Sequence, residues 1–342
     1  GGGLSNEGLS NPSLTKVTFT NNSATNGGGM ANDASNSTLM DVTFQGNSAF
    51  RGGGMYNFTS QYSVGISEPT LTNVTFSGNS ASSGGGMYNE SGSHPTLTNV
   101  TFNGNSAGAG GGMYNKNSSP TLTNVTLSGN IVTVKASGIA NDGNSSIPII
   151  NNSILWAGDY GQFYFWNGSS AIITDSVVEG GCPVGASCTN IINANPQLGL
   201  LADNGGHTKT MALGSGSSAI DAGGVNSVCV ATDQRGLRRP QGAACDNGAY
   251  EDAHGSVLHA MPNGSTTGEC DSWENACELS YVLAIAFSGH EIWAAAGTYK
   301  PIAGSDRTAT FQLAAGVFVY GGFAGTETSR DQRNPTINLT IL

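Results

Sequence analysis

Hydrophobic and small polar residues alternate over short runs such as Leu97-Thr98-Asn99-Val100-Thr101-Phe102, and similar runs return every 25 or 26 residues, with one longer step. Alternation with a period of two predicts short strands with one face buried, and the glycines and asparagines on either side punctuate them. No apolar stripe of helical period runs through residues 1–180. Two motifs carry the repeat. Gly-Gly-Gly-hydrophobe occurs at 1–4, 27–30, 52–55, 84–87 and 110–113, followed two residues later by Asn6, Asn32, Asn57, Asn89 and Asn115, with fainter copies at Asn141 and Asn167. Between these lie Val17-Thr18-Phe19, Val42-Thr43-Phe44, Val74-Thr75-Phe76, Val100-Thr101-Phe102 and Val125-Thr126-Leu127, each followed three residues on by Asn22, Asn47, Asn79, Asn105 and Asn130. Weaker rungs follow at Ile154-Leu155 and Val177-Val178, and one long step of 32 residues places a loop insertion within Phe58 to Glu68.

A period near 25 with two or three short strands per repeat is the signature of a parallel β-helix, in which each repeat is one coil and equivalent positions stack about 4.8 Å apart. The expected fold class is all-β, a right-handed parallel β-helix (solenoid) with one short capping α-helix further along the chain. Leu, Val, Phe and Met then form inward rows. The asparagines stack amide to amide in turns where asparagine tolerates positive φ. Glycine triplets suit places where the wall bends sharply or two backbones approach closely. A phosphate cradle would need a lysine and a following helix, and neither is present.

The paired motifs Phe-x-x-Asn (Phe19-Asn22, Phe44-Asn47, Phe76-Asn79, Phe102-Asn105) and Gly-Gly-x-hydrophobe resemble the repeats of the polymorphic outer membrane proteins and related bacterial surface β-helices. The resemblance covers residues 1–180, with a glycine triplet where that family has Gly-Gly-Ala. It implies a secreted or surface-displayed right-handed β-helix serving as an adhesin or structural rod.

Only 10% of the residues are charged, against about a quarter in ordinary domains. A net charge of −11 argues against nucleic acid or an anionic membrane as partner. With no apolar stretch of about 20 residues and no signal-like segment at Gly1, membrane insertion is not expected, and the chain reads as a mature or excerpted segment.

Six cysteines fall in three close pairs, Cys182 with Cys188, Cys229 with Cys245 and Cys270 with Cys277, outside the coil repeats. Their clustering favours local pairing among the many connectivities that six cysteines allow. A zinc site is the rival, but it wants Cys-x2-Cys spacing or companion histidines, and His94, His207, His254, His259 and His290 are scattered. No metal or cofactor is expected. Disulfides imply an oxidising compartment, hence an extracellular location, and display at the cell surface is what the resemblance to surface β-helices implies.

After residue 180 the texture changes. Residues 195–208, then Ser218-Ala219-Ile220-Asp221-Ala222-Gly223, Asp233-Gln234-Arg235-Gly236 and Arg239-Pro240-Gln241-Gly242 through Cys245-Asp246-Asn247-Gly248-Ala249-Tyr250-Glu251, resemble the choice-of-anchor Q domain. That resemblance implies a disulfide-containing module over 181–252 that closes the C-terminal end of the coil. Asp233, Arg235, Arg238, Arg239 and Asp246 read as an ion-paired structural turn rather than a catalytic cluster.

Residues 253–342 form a third segment. Ser272 to Phe287 reads as an amphipathic helix with Asp271 or Ser272 as N-cap and Gly289 just past its end. Strands are expected over 291–299, 311–313, 317–323 and 337–342. This order resembles the N-terminal cap helix and opening coil of pectate-lyase-like β-helices, so a new solenoid is expected to begin here. Either one period of a tandem array is represented, or this segment completes the open first coil of the next subunit by head-to-tail strand addition. The contact residues are then expected to be Trp273, Leu279, Val282, Leu283 and Ala286 of the helix and Ile337, Leu339 and Ile341 of the last strand, meeting Leu4, Leu14, Val17 and Phe19. Intramolecular capping is a third arrangement, with 252–267 as the connecting stretch.

Enzymatic β-helices that cleave acidic polysaccharides need clustered acids and a base on one wall. Within residues 1–180 the only lysines and arginines are Lys16, Arg51, Lys116 and Lys135, and the acids do not recur at one coil position, although Asp41 and Asp175 share the place of Asn73, Asn99 and Asn124. No catalytic residue is expected. Glycan stacking could fall to Tyr56, Tyr88 and Tyr114, with Trp166 of the run Phe163-Tyr164-Phe165-Trp166; a stabilising tyrosine ladder is favoured instead, with Phe165 and Trp166 filling the Met-Tyr positions of a seventh coil. The expected function is an extracellular structural protein whose partner is itself. A glycan-binding adhesin is the alternative, and a lyase or hydrolase is less favoured.

Overall fold

The computed structural model describes residues 1–224, 229–252, 257–286, 290–301, 308–314 and 316–342. The chain divides into two compact units, Gly1–Glu251 and Asp252–Leu342.

The first unit is a parallel β-solenoid. Each coil contributes short strands to three stacked sheets: one of seven strands from Leu4–Glu7 to Phe163–Trp166, one of eleven that starts at Ser13–Thr15 and reaches Ser187–Ile192, and one of five from Ser23–Asn26 to Ile131–Lys135. Pairing is in register with the repeats, Leu4 opposite Met30 and Leu71 opposite Leu97, so equivalent side chains stack on themselves. The core is therefore a set of rows. Met30, Met55, Met87 and Met113 form one, Leu39, Leu71, Leu97 and Leu122 another, all fully buried. Phe19, Phe44, Phe76 and Phe102 form a third, their rings stacked at 4.6–4.9 Å and within 7° of parallel. Ring spacing this close to the inter-strand distance shows that the sheet ladder sets the stacking.

The glycine triplets have separable reasons. Gly52 takes φ +63°, which a side chain rarely adopts; a Cβ on Gly53 would lie 2.5 Å from the carbonyl oxygen of Gly85, and one on Gly54 would lie 2.7 Å from the Phe76 ring. The third glycine thus makes room for the phenylalanine row. The corner between the Leu and Val-Phe strands of the second sheet is left-handed at Asp41, Asn73, Asn99, Asn124, Asn152, Asp175 and Asn190, with φ between 45° and 57°. Asp and Asn are the side chains that tolerate this region best. Backbone conformation, not acid chemistry, is what Asp41 and Asp175 share with their asparagine neighbours.

Three sequence expectations change here. The coil runs past residue 180, because Ser187–Ile192 pairs in parallel with Ile172–Val178 and brings Cys188 into an eighth rung. The seventh coil is shorter: Phe163 and Tyr164 stack on Ile139 and Ala140, while Phe165 falls in the asparagine row and Trp166 in the row of Asp142. Asn167 is therefore outside the ladder. Finally, residues 195–251 do not simply close the C-terminal end. They return along the outer face of the second sheet, where the Thr75 and Thr101 hydroxyls meet Lys209 O and Gln234 Oε1.

The second unit is a smaller parallel stack, Val257–Ser265 against Glu291–Ala295 against Phe318–Phe323, with Gly297–Thr298 paired to Thr340–Ile341. Its first rung lies in the stretch expected to be a connector. Helix α1 spans only Leu279–Ile285, with Glu278 as N-cap and no side-chain cap, so Asp271 and Ser272 do not start it; Phe287 and Gly289 lie outside the described residues. Residues 272–278 are instead held by the Cys270–Cys277 disulfide and by parallel bridges from Cys277 to Ala260 and Ser265. Residues 311–313 form no strand.

Candidate functional site

Hydrogen-bonded side-chain rows thread the first unit. Asn6, Asn32, Asn57, Asn89, Asn115 and Asn141 form one chain in which each Nδ2 donates to the next Oδ1 at 2.8–2.9 Å. It stops at Asn141, whose Nδ2 turns to Ser170 O because Phe165 occupies the next place. Asn22, Asn47, Asn79, Asn105 and Asn130 form the second. Here each interior Oδ1 also accepts the backbone N–H of the asparagine before it, and each Nδ2 also reaches the phenylalanine carbonyl of the previous coil. Buried amides are thereby satisfied within the stack.

A third row is aromatic. Tyr88 and Tyr114 stack at 4.9 Å with parallel rings, and Tyr56 lies 5.6 Å from Tyr88. Tyr56 is 2% and Tyr88 4% exposed, so neither offers a face to a sugar. The Tyr56 hydroxyl bonds Glu90, and Arg51 sits 5.7 Å over the Tyr88 ring. Tyr114, Tyr164 and Trp166 remain half-buried. Burial, followed by the nearby Glu90 carboxylate, raises the Tyr56 and Tyr88 pKa values; burial beside Asp142 pushes Tyr114 up to about 12. Because these folded values lie above the ordinary tyrosine value of about 10, their contribution to stability is complete below that pH and is lost as pH rises through the raised values, about 12 for Tyr114 and higher for Tyr56 and Tyr88. Ultraviolet titration of tyrosinate should resolve a late class that appears together with unfolding and shifts in Tyr56→Phe/Tyr88→Phe; a single ordinary step in the native protein would refute this.

A buried polar assembly forms the seam between residues 195–251 and the solenoid wall. Asp233 pairs with Arg235, and Arg239 with Glu251, each at 2.7 Å and with both side chains fully buried. Arg239 also donates to Asp246 O and Gly248 O, Arg235 to Glu251 O, and Arg235 lies 3.6 Å over the Tyr250 ring. The wall answers with its corner asparagines. Asn99 donates to Thr232 O at 2.9 Å, and Asn124, with its amide oxygen toward the guanidinium, accepts from Arg239 at 3.2–3.3 Å. Gln234 Nε2 reaches the Thr75 and Thr208 hydroxyls, each at 2.8 Å. Burial lowers the Arg239 pKa and raises that of Glu251, each opposed by the partner. Further along, the outer row turns apolar: Ile154, Val177 and the half-buried Ile192 replace threonine and pack against Leu213, Ala219 and Tyr250. The Asp–Arg cluster is thus the polar half of a seam whose other half is hydrophobic.

The residues expected to mediate a subunit contact separate into two groups. Leu279, Val282, Leu283 and Ala286 are buried in the second unit's own core, and Trp273 packs on His259 and Phe323 with its indole N–H on Glu327 O. The helix cannot both hold that core and enter another mouth. By contrast, Ile337, Leu339 and Ile341 are 76%, 61% and 54% exposed. Leu4, Leu14 and Val17 are only partly buried, although their second-coil counterparts Met30, Leu39 and Val42 are fully so; Phe19 is buried.

All three local disulfides are formed, Cys182–Cys188, Cys229–Cys245 and Cys270–Cys277, as in proteins of oxidising compartments. Among the described residues no three His, Cys, Asp or Glu side chains gather as metal ligands, and no helix is long and apolar enough to cross a membrane. Comparison of the chain with protein-family models, with curated proteins and with solved structures finds no match.

Proposed function

We propose that this chain is an extracellular structural protein of the cell surface, a β-solenoid that extends head to tail into a fibre or sheath. The observation that carries the reading is a pair of incompletely covered apolar sets: Leu4, Leu14 and Val17 on one unit are only partly buried where the next coil fully buries Met30, Leu39 and Val42, and Ile337, Leu339 and Ile341 on the other are exposed. Unpaired strand edges over apolar rows invite another strand, and a heterologous contact that does not close gives a filament. The resemblance of the repeats to surface β-helices, of residues 195–251 to choice-of-anchor Q modules and of the last segment to an opening coil supports the same reading. With α1 committed to its own unit, the contact falls to the last strand. Sedimentation velocity on the full chain should show mass increasing with concentration, and Leu339→Lys/Ile341→Lys should hold it at monomer; equal behaviour of the two proteins would sink the proposal. The aromatic adhesin reading has less support, since Tyr56 and Tyr88 are covered.

A further inference from the structure

Where the hairpin formed by Leu198–Ala202 and Thr210–Leu213 passes the first coils, it does not lie flat on the wall. A groove of about 820 Å³ opens between the two. Its floor is the outer face of the second sheet, rung upon rung: Thr18, Thr43 and Thr75 in one column, Gln45, Ser77 and Asn103 in the next. Beside them the turn position is Asn21 in the first coil but Gly46, Gly78 and Gly104 above it, which keeps that side low. The opposite side carries Asp203, His207 and Lys209, with the exposed Leu200 at the lip.

We propose that this groove binds a neutral oligosaccharide chain running along the solenoid axis. The floor offers hydroxyls and amides, which both donate and accept, and no fixed charge. The far side carries one acid and one lysine, so the groove has no net pull on a polyanion, and the chain's charge of −11 opposes one. Hydroxyl-rich ligands match such a surface, and Leu200 with Leu201 supplies an apolar edge for a sugar ring. The rung spacing of about 4.8 Å is close to the length of one hexopyranose unit, so successive sugars meet successive rungs of uncharged polar side chains, Thr18 and Thr43 in one column and Gln45, Ser77 and Asn103 in the other, while Thr75 is already bonded to Lys209 O and Gln234. Sheet stacking thus supplies the periodicity, and the flanking hairpin supplies the second wall. The site is distinct from the tyrosine row and independent of end-to-end assembly.

Calorimetric titration of the full chain with cellohexaose, xylohexaose and laminarihexaose, beside hexagalacturonate, tests this. At least one neutral hexasaccharide should bind more tightly than the anionic one. Gln45→Ala, an exposed floor residue, should weaken binding roughly tenfold, and Ser77→Trp, which fills the floor without touching the core, should abolish it, each with an unchanged circular dichroism spectrum. Trp166→Ala should leave binding intact. Failure of all three neutral probes to bind, preference for the galacturonate, binding that survives Ser77→Trp, or loss with Trp166→Ala would each overturn the assignment.

Discussion

Replacing Arg239 by leucine should destabilise the first unit by about 3–5 kcal/mol, the range for breaking a buried ion pair from one side. The guanidinium is fully buried and binds Glu251, Asp246 O and Gly248 O, so its loss strands a carboxylate and two carbonyls inside the protein. A second change, Glu251→Leu, should recover only part of that, because Glu251 also accepts the backbone N–H groups of Gln241 and Asp246. The location of the damage is the sharper expectation. Hydrogen exchange should quicken at Gly248 and Ala249, whose amides bond Asn152 O and the Thr126 hydroxyl, before it quickens in the Met and Phe rows of the core. Uniform acceleration through all coils, or none, would show that residues 195–251 are not held to the wall by this seam.

Asn79→Ala should be comparably severe. The side chain accepts from both the backbone and the amide of Asn47 and donates to Phe44 O and Asn105 Oδ1, all at 2.9 Å. Each buried group left unsatisfied costs about 1–3 kcal/mol, so a loss of roughly 3–6 kcal/mol is expected, short of full additivity. The same change at Asn22, a half-buried residue at the end of the row, should cost clearly less. Denaturant melts of the two variants give the comparison; equal losses would mean that the amides act as independent turn residues rather than as a coupled ladder.

The rows themselves were readable from spacing because the solenoid repeats one environment: Met30 through Met113, the phenylalanines and both asparagine ladders stand where a period near 25 puts them. The local cysteine pairs were readable for a similar reason, their closeness in sequence. Position along the chain carries little information about what covers a wall from outside. The return of residues 195–251 onto the second sheet is a long-range contact, and its one sequence trace is the change of the outer row from Thr126 to Ile154 and Val177, residues that would otherwise face water. The seventh coil departs by two residues from the regular spacing because its step, from Asn141 to Phe165, is shorter than the others. The amphipathic pattern of 272–287 located a buried face, yet not its partner: Leu258, Ile292 and Ala294 of the same unit take that face, and the disulfide loop before Leu279 shortens the helix.

Head-to-tail extension through the last strand and first coil is tested most directly by negative-stain imaging of the purified full chain at rising concentration, beside Leu339→Lys/Ile341→Lys. The expected result is unbranched rods that lengthen with concentration at constant width, and single particles from the variant. Single particles from both, or lateral clumps without a common axis, would contradict it.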